Sequence, residues 1–273
     1  MTILTDNETS DGGLLAEHGL SILVERGAHR LLFDTGQSDL CRRNAARLGR
    51  DLAAIETVVL SHGHYDHGGG LPGLLEHMPG PLEVIVHPHA FAPRYVRHPG
   101  QTDRFIGLSY DLPDLAHRGA CVRLEAEPRE VGPRLLASGP IPHQCDFELD
   151  DPQFITKTAN GWEPDRLEDD QALVALTAEG LVVLLGCAHA GVVNTLHHAM
   201  RLAGERRLRA VVGGLHLVGA DAWRIEQTVA ALQAMAVRLV VACHCTGDPA
   251  RQHLHAALGD RYVNGAVGMT LAF

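Results

Sequence analysis

Hydrophobic and polar positions alternate in short blocks along this chain. Runs rich in Val, Ile and Leu end abruptly in glycine, histidine or acidic residues at 19–26 (GLSILVER), 29–36 (HRLLFDTG), 54–64 (AIETVVLSHGH) and 81–89 (PLEVIVHPH). The same texture returns at 132–141, 171–180, 180–189, 208–217 and 237–247. Such runs predict buried β-strands. Between them, residues 38–49, 191–204, 221–236 and 248–259 carry helical patterns. In the third, Ile225, Val229, Leu232 and Met235 recur at helical spacing, with Asp221 placed to cap it. Asp248 is placed to cap the last one, with Pro249 in its first turn. Strand–helix units fill the first part and the second part repeats the plan. The pattern predicts one α/β domain over residues 1–273, with two similar halves, about 1–120 and 121–273. Residues 88–118 show weak periodicity and carry prolines, arginines and aromatics. They read as a lid or as a surface excursion.

Composition narrows the class. With 273 residues, 45% hydrophobic and 21% charged, the chain can bury a sizeable core. A net charge of −10 argues against a general nucleic-acid binder. The first residues lack a basic region followed by an apolar one, and the apolar runs are far shorter than a membrane span. The six cysteines are scattered, and Cys243 and Cys245 stand too close for an unstrained disulfide. A cytoplasmic protein with a small-molecule partner, bound to neither membrane nor nucleic acid, is the expectation. A homo-oligomeric state stays open.

Candidate chemistry concentrates where strands end. Asp34, His62, His87, His189, His216 and His244 each follow a predicted strand. In layered α/β folds, ligands bind at the carboxyl ends of strands. Residues 62–67 read HxHxDH. Alternate residues of an extended segment face the same way, so His62 and His64 can chelate one ion. Asp66 and His67 begin the following turn and can face a second ion. Imidazole suits zinc, iron or manganese, and a carboxylate favours the harder ions. Gly63 and the run Gly68, Gly69 and Gly70 permit close backbone approach. No P-loop pattern or Ser-His-Asp nucleophile motif competes.

The motifs at Phe33–Gly36, His62–His67, Gly186–Gly191 and His244 resemble those of the metallo-β-lactamase fold superfamily. Blocks such as LFDTGQS, DDQALV, GCAHAGVVNTL, GGLHL and CHCTG are similar, more narrowly, to the dihydropterin-methyl-ribofuranosylaminobenzene-phosphate synthase-like branch. The resemblance implies a four-layer αββα sandwich with the metal site at one edge of its two sheets. It implies one or two divalent metal ions, zinc first, with iron or manganese as alternatives. His62, His64 and His189 would form one site, and Asp66, His67 and His244 the other. The aspartate that often bridges the two has no counterpart, and His216 stands near its place. His216 is therefore read as a ligand or as a contact to substrate or leaving group.

Other residues carry weaker expectations. Asp34 is expected to orient a ligand histidine or the metal's water. Asp169 and Asp170 either orient the His189 loop or form a solvated turn. Glu17 and His18 either approach the pocket or sit on a surface turn. Arg94, Arg97 and Arg104, in the lid, either bind a phosphate or face solvent. His87, His89 and His98 belong to the same region. Cys187, Cys243 and Cys245 are expected to be packed thiols, the last two pointing away from His244 if that segment is extended. The expected activity is metal-dependent hydrolysis, with a metal-bound hydroxide attacking a small phosphorylated or ester substrate. Asp66 would orient the nucleophile or move its proton, and His216 would assist the leaving group. The alternatives are a transferase condensing a dihydropterin with an arylamine, and a non-catalytic metal-binding or sensing protein.

Overall fold

In the computed structural model, which describes residues 1–9 and 11–273, two mixed sheets pack face to face with helices outside both. The first half forms β1 (Thr2–Thr5), β2 (Ser21–Arg26), β3 (His29–Phe33), β4 (Thr57–Val59), β5 (Leu82–Val86), β6 (Arg94–Val96), β7 (Arg104–Phe105) and β8 (Ala120–Leu124). Its helices are α1 (Leu40–Arg47), α2 (Tyr65–Gly68), α3 (Leu71–Leu75) and α4 (Leu112–His117). The second half forms β9 (Arg129–Gly132), β10 (Leu135–Ala137), β11 (Phe154–Thr158), β12 (Gly161–Pro164), β13 (Ala172–Thr177), β14 (Gly180–Leu185), β15 (Leu208–Gly214), β16 (Val240–Cys243) and β17 (Tyr262–Asn264). Its helices are α5 (Val192–Ala203), α6 (Ala222–Ala234) and α7 (Asp248–Leu258).

The two sheets share one wiring. One runs β1-β2-β3-β4-β5-β8, and the other runs β17-β16-β15-β14-β13-β10-β9. In the first, β1, β2 and β3 pair antiparallel, and β3, β4, β5 and β8 pair parallel. In the second, β10, β13 and β14 pair antiparallel, and β14, β15, β16 and β17 pair parallel. Helices α1, α3 and α4 cross over in the first as α5, α6 and α7 do in the second. Because β8 extends to Leu124, the first unit runs a few residues beyond 120.

Alternation along the strands sorts the side chains into three apolar layers, since successive residues face opposite ways. Ile22, Val24, Leu31, Phe33 and Val59 face the second sheet, where Leu173, Val182, Leu184 and Val212 meet them. Leu23, Leu32 and Val58 point outward to Cys41, Ala45, Leu71 and Leu74. Val174, Val183 and Val211 pack against Leu196, Ile225 and Leu254. Sheets apolar on both faces require a cover on each, so the sandwich has four layers, αββα, as expected.

Two expectations change. Residues 88–118 are not an irregular loop. β6 and β7 join β11 and β12 in a third, four-stranded antiparallel sheet, and residues 112–117 are the crossover helix α4. Asp221 caps α6, accepting from the Arg224 amide at 2.8 Å, but Asp248 lies inside α7, and Gly247, at φ 78°, takes the capping position.

Candidate metal centre

Five of the six strand-end residues converge on one rim of the sandwich. Asp34 follows β3, His62 follows β4, His189 follows β14, His216 follows β15 and His244 follows β16. The sixth does not join them: His87 accepts from the His89 amide and lines a separate cavity with Ile141, His143 and Glu168. The backbone is strained at the rim. Asp34 (φ 59°), Ala188 (φ 58°), His216 (φ 44°) and His244 (φ 51°) are four of the seven non-glycine residues in the left-handed region among the described residues. Each such conformation costs about 1–3 kcal/mol, and functional sites are where that cost collects.

His62, His64 and His189 form one cluster, their potential ligand atoms within 4.8 Å of one another. All three are buried. Ser61 Oγ donates to Asp34 Oδ2 at 2.7 Å, so His62 Nδ1, 2.8 Å from that oxygen, is the donor to it. The His62 Nε2 lone pair is thus left facing His64 Nδ1 at 3.0 Å. His64 Nε2 and both nitrogens of His189 have no hydrogen-bond partner among the described residues. Burial, then neighbouring positive charge, pushes the pKa of all three well below the ordinary histidine value. They are neutral imidazoles, the form that binds metals. Gly63 lets the segment lie against Ala90, where a Cβ would collide with its carbonyl. The Gly63 amide donates to Asp169 Oδ2 at 2.7 Å.

The second cluster is built differently. Asp34 Oδ2 accepts from His67 Nδ1 at 2.7 Å, which leaves a lone pair on His67 Nε2. Asn7 Oδ1 accepts from the Gly19 amide at 3.2 Å, so the oxygen is the atom facing His244 Nδ1 at 3.0 Å. His244 therefore donates there and also carries its lone pair on Nε2. The two Nε2 atoms face each other across 3.1 Å. Two lone pairs at that distance repel unless a proton or a metal ion lies between them. Asp66 Oδ2 stands 3.3 Å from His244 Nε2 and 3.7 Å from His67 Nε2. Burial opposes charge on His67, yet Asp34 and Asp66 outweigh it and raise its pKa to about 9. The pocket calls for positive charge beside its carboxylates.

The remaining candidates divide. His18 Nε2 lies 3.1 Å from Asp66 Oδ2, with its side chain half exposed at the opening. Asp170 Oδ2 accepts from the Ala190 amide at 2.8 Å and so holds the His189 loop. His216 stacks near His189, ring centres 4.2 Å apart, and its Nε2 faces Asp151 Oδ2 at 3.8 Å. Its Nδ1 has no hydrogen-bond partner among the described residues. Burial works against its charge, but Asp151 and Cys245 hold its pKa up to about 9. Glu17 faces away from the cleft, accepting from the amides of Gln37 and Ser38 and from Ser38 Oγ, and it braces the turn after Asp34. Arg94 is not a phosphate group's partner, because it is 1% exposed and bound to Asp169 at 2.6 Å and Asp165 at 3.3 Å. Arg97 pairs with Asp103 away from the clusters. Arg104 does reach the rim, 3.4 Å from the Tyr65 hydroxyl. His98 is exposed.

Sequence reasoning missed four participants. Phe154, from β11, packs its ring 5.3 Å from His64, 5.2 Å from His189 and 5.7 Å from His216. Its hairpin carried a signal, an Asn-Gly pair at 160–161 between β-rich residues. Asn7 had no local signal. Cys187 was expected to be a packed thiol, and Cys245 to point away from His244 if that segment is extended. Instead Cys187 Sγ is 3.2 Å from His67 Nε2, and Cys245 turns inward because His244 is left-handed rather than extended.

Orphaned buried imidazole nitrogens, facing lone pairs and buried carboxylates are what a divalent-ion site requires, and these residues fit one. The class defined is an αββα sandwich with a histidine- and carboxylate-lined cleft at the sheet edge that could hold metal ions. A family model described as the metallo-beta-lactamase superfamily matches residues 15–197, and the chain belongs to that family. The uncharacterized protein MJ0448 of Methanocaldococcus jannaschii is 30% identical over 97% of this chain and 97% of its own length. The 7,8-dihydropterin-6-methyl-4-(beta-D-ribofuranosyl)-aminobenzene-5'-phosphate synthase of the same organism is 29% identical, covering 90% of this chain and 86% of that protein. Among solved structures, Tm1679, described as a metal-dependent hydrolase of the beta-lactamase superfamily, is 32% identical with a TM-score of 0.85. That match covers 100% of this chain and 98% of the other. No helix among the described residues is long and apolar enough to cross a membrane.

Proposed function

We propose that this chain is a metal-dependent hydrolase acting on a small phosphorylated or ester substrate in the cleft between the two clusters. The observation that carries the reading is that the Nε2 atoms of His67 and His244 face each other, 3.1 Å apart, beside Asp66. His62, His64 and His189 would hold one ion, and Asp66, His67 and His244 the other. When bound, divalent ions supply Lewis-acid activation of water and of the scissile group. Asp34 sets the tautomer of His67 directly and that of His62 through Ser61. Asp66 accepts a proton at Oδ2, and His18, 3.1 Å away and half exposed, passes it towards solvent. His216, charged and held by Asp151, enters from the other side and protonates the leaving group. Phe154 covers His64, His189 and His216 and keeps water from that side. Arg104 and His18 give the opening a local positive character that the net charge of −10 does not predict.

A second reading, condensation of a dihydropterin with an arylamine, draws support from the 29% identity to the synthase. Phe154 and Tyr65 would then stack against the rings. Turnover on phosphodiester and lactone panels, set against dihydropterin diphosphate with an arylamine acceptor, separates the two. If His62→Ala loses metal and leaves every turnover unchanged, both enzyme readings fail and a non-catalytic metal-binding role replaces them.

A further inference from the structure

Among the described residues, no carboxylate joins the two clusters as a shared anionic ligand. Strand β15 ends at Gly214, which has no side chain to offer. A Cβ there would stand 2.7 Å from Cys245 Sγ and 3.3 Å from Cys187 Cα. The space beyond this strand end is therefore filled by the two cysteines, whose segments approach because the backbone twists at Ala188 (φ 58°) and His244 (φ 51°).

Of the two, Cys187 is the one placed between the clusters. Its sulfur lies within 4.8 Å of donor atoms in three separate sets: with His62 and His67, with His244 and Cys245, and with His189 and His216. Among the described residues His67 also reaches both His62 and His244, but it is a neutral donor, whereas Cys187 can supply the anionic ligand. Cys187 Sγ meets His67 on the same Nε2 lone pair that faces His244, at 3.2 Å. Cys245 Sγ is engaged with backbone, accepting from the His216 amide at 3.3 Å and lying 3.7 Å from the Cys187 carbonyl.

We propose that Cys187 is a metal ligand, its thiolate bridging the two ions in the place a carboxylate would otherwise take. This rests on the two-ion reading of the site. Metal–sulfur bonds of about 2.3 Å and metal–nitrogen bonds of about 2.0 Å put donors on one tetrahedral ion roughly 3.3–3.6 Å apart, close to the spacing of Cys187, His67 and His244. A thiolate has lone pairs enough for two ions, and ligation releases the thiol proton to solvent. A soft ligand in this position favours zinc or iron over manganese.

Cobalt tests this directly. The full chain is stripped, loaded with Co(II), assayed for metal content and scanned for the intense near-ultraviolet thiolate-to-cobalt charge-transfer band. Two ions per chain with the band is the expected result. Cys187→Ser should lose the band and retain one tightly held ion, while Cys245→Ser keeps both. X-ray absorption on the wild-type zinc form counts sulfur neighbours without any variant, so a misfolded Cys187→Ser leaves the question answerable. Two bound ions with no band and no sulfur neighbour overturn the thiolate assignment alone. A chain that binds no cobalt and no zinc overturns the metal reading itself. A band that survives Cys187→Ser and vanishes in Cys245→Ser overturns the choice of residue.

Discussion

The two clusters of the cleft use the same residue types and meet opposite demands. Around His62, His64 and His189, burial and neighbouring positive charge keep the imidazoles neutral, and three of their nitrogens have no partner among the described residues. Around Asp66, His67 and His244, buried carboxylates ask for positive charge, and each histidine is tied from behind, to Asp34 or Asn7. The first cluster offers lone pairs. The second offers lone pairs and negative charge together. A dipositive ion is best matched by the second in charge and by the first in vacant donors, so the two should differ in affinity and in what each loss does.

The largest expected break comes from the first cluster. His189→Ala should lower turnover by about 10³-fold and remove one ion, with the second cluster still loaded, as metal analysis would show. If instead both ions leave together, the clusters are one cooperative unit and the contrast between them collapses.

Asp34 links both clusters, through His67 and through Ser61 to His62. Asp34→Ala leaves buried donors unmatched and should cost about 3–5 kcal/mol of stability in urea unfolding. Asp34→Asn should preserve more stability and still weaken metal binding by about 10–100-fold.

A pH test sharpens the comparison from the side of the His189 loop. Burial raises the Asp170 carboxyl from its ordinary value of 3.8 to about 7, with the Ala190 amide offsetting only part of it. A carboxyl whose pKa is raised on folding stabilises the fold while protonated. That contribution is complete below about pH 4 and is lost as pH rises through about 7. Asp170→Asn should thus unfold at a higher temperature than wild type at pH 8, with the gap closing near pH 4. A gap that widens on acidification would refute the assignment.

Smaller effects mark the edge of the site. His18→Ala removes the half-exposed partner of Asp66 and should slow turnover by about 10²-fold at most, with metal content unchanged. Arg97→Ala should change neither, because Arg97 serves Asp103 away from the cleft. A loss of activity in that variant would place substrate against β6 rather than between the clusters.

What the chain alone determined was whatever depends on neighbours in sequence. Apolar runs bounded by glycine and polar residues dictated the strands and the α/β class, and the resemblance of the motifs implied the four-layer sandwich. The close spacing of His62, His64, Asp66 and His67 made one stretch readable as a ligand set. Asp34, His189, His216 and His244 were readable because each ends a strand, and parallel strands end on one rim. Tertiary structure alone decided which other side chains reach that rim. A left-handed residue at His244 turned Cys245 inward, a reversal that period-two reasoning misses. Phe154 arrived through a hairpin paired with β6, and Asn7 through a segment 237 residues from His244. The same folding withdrew Arg94 into a buried pair and Glu17 into a turn, since an isolated charge off the water needs a partner more than it needs a ligand. Local pattern says which residues can bind a metal, and only packing at long range says what surrounds it.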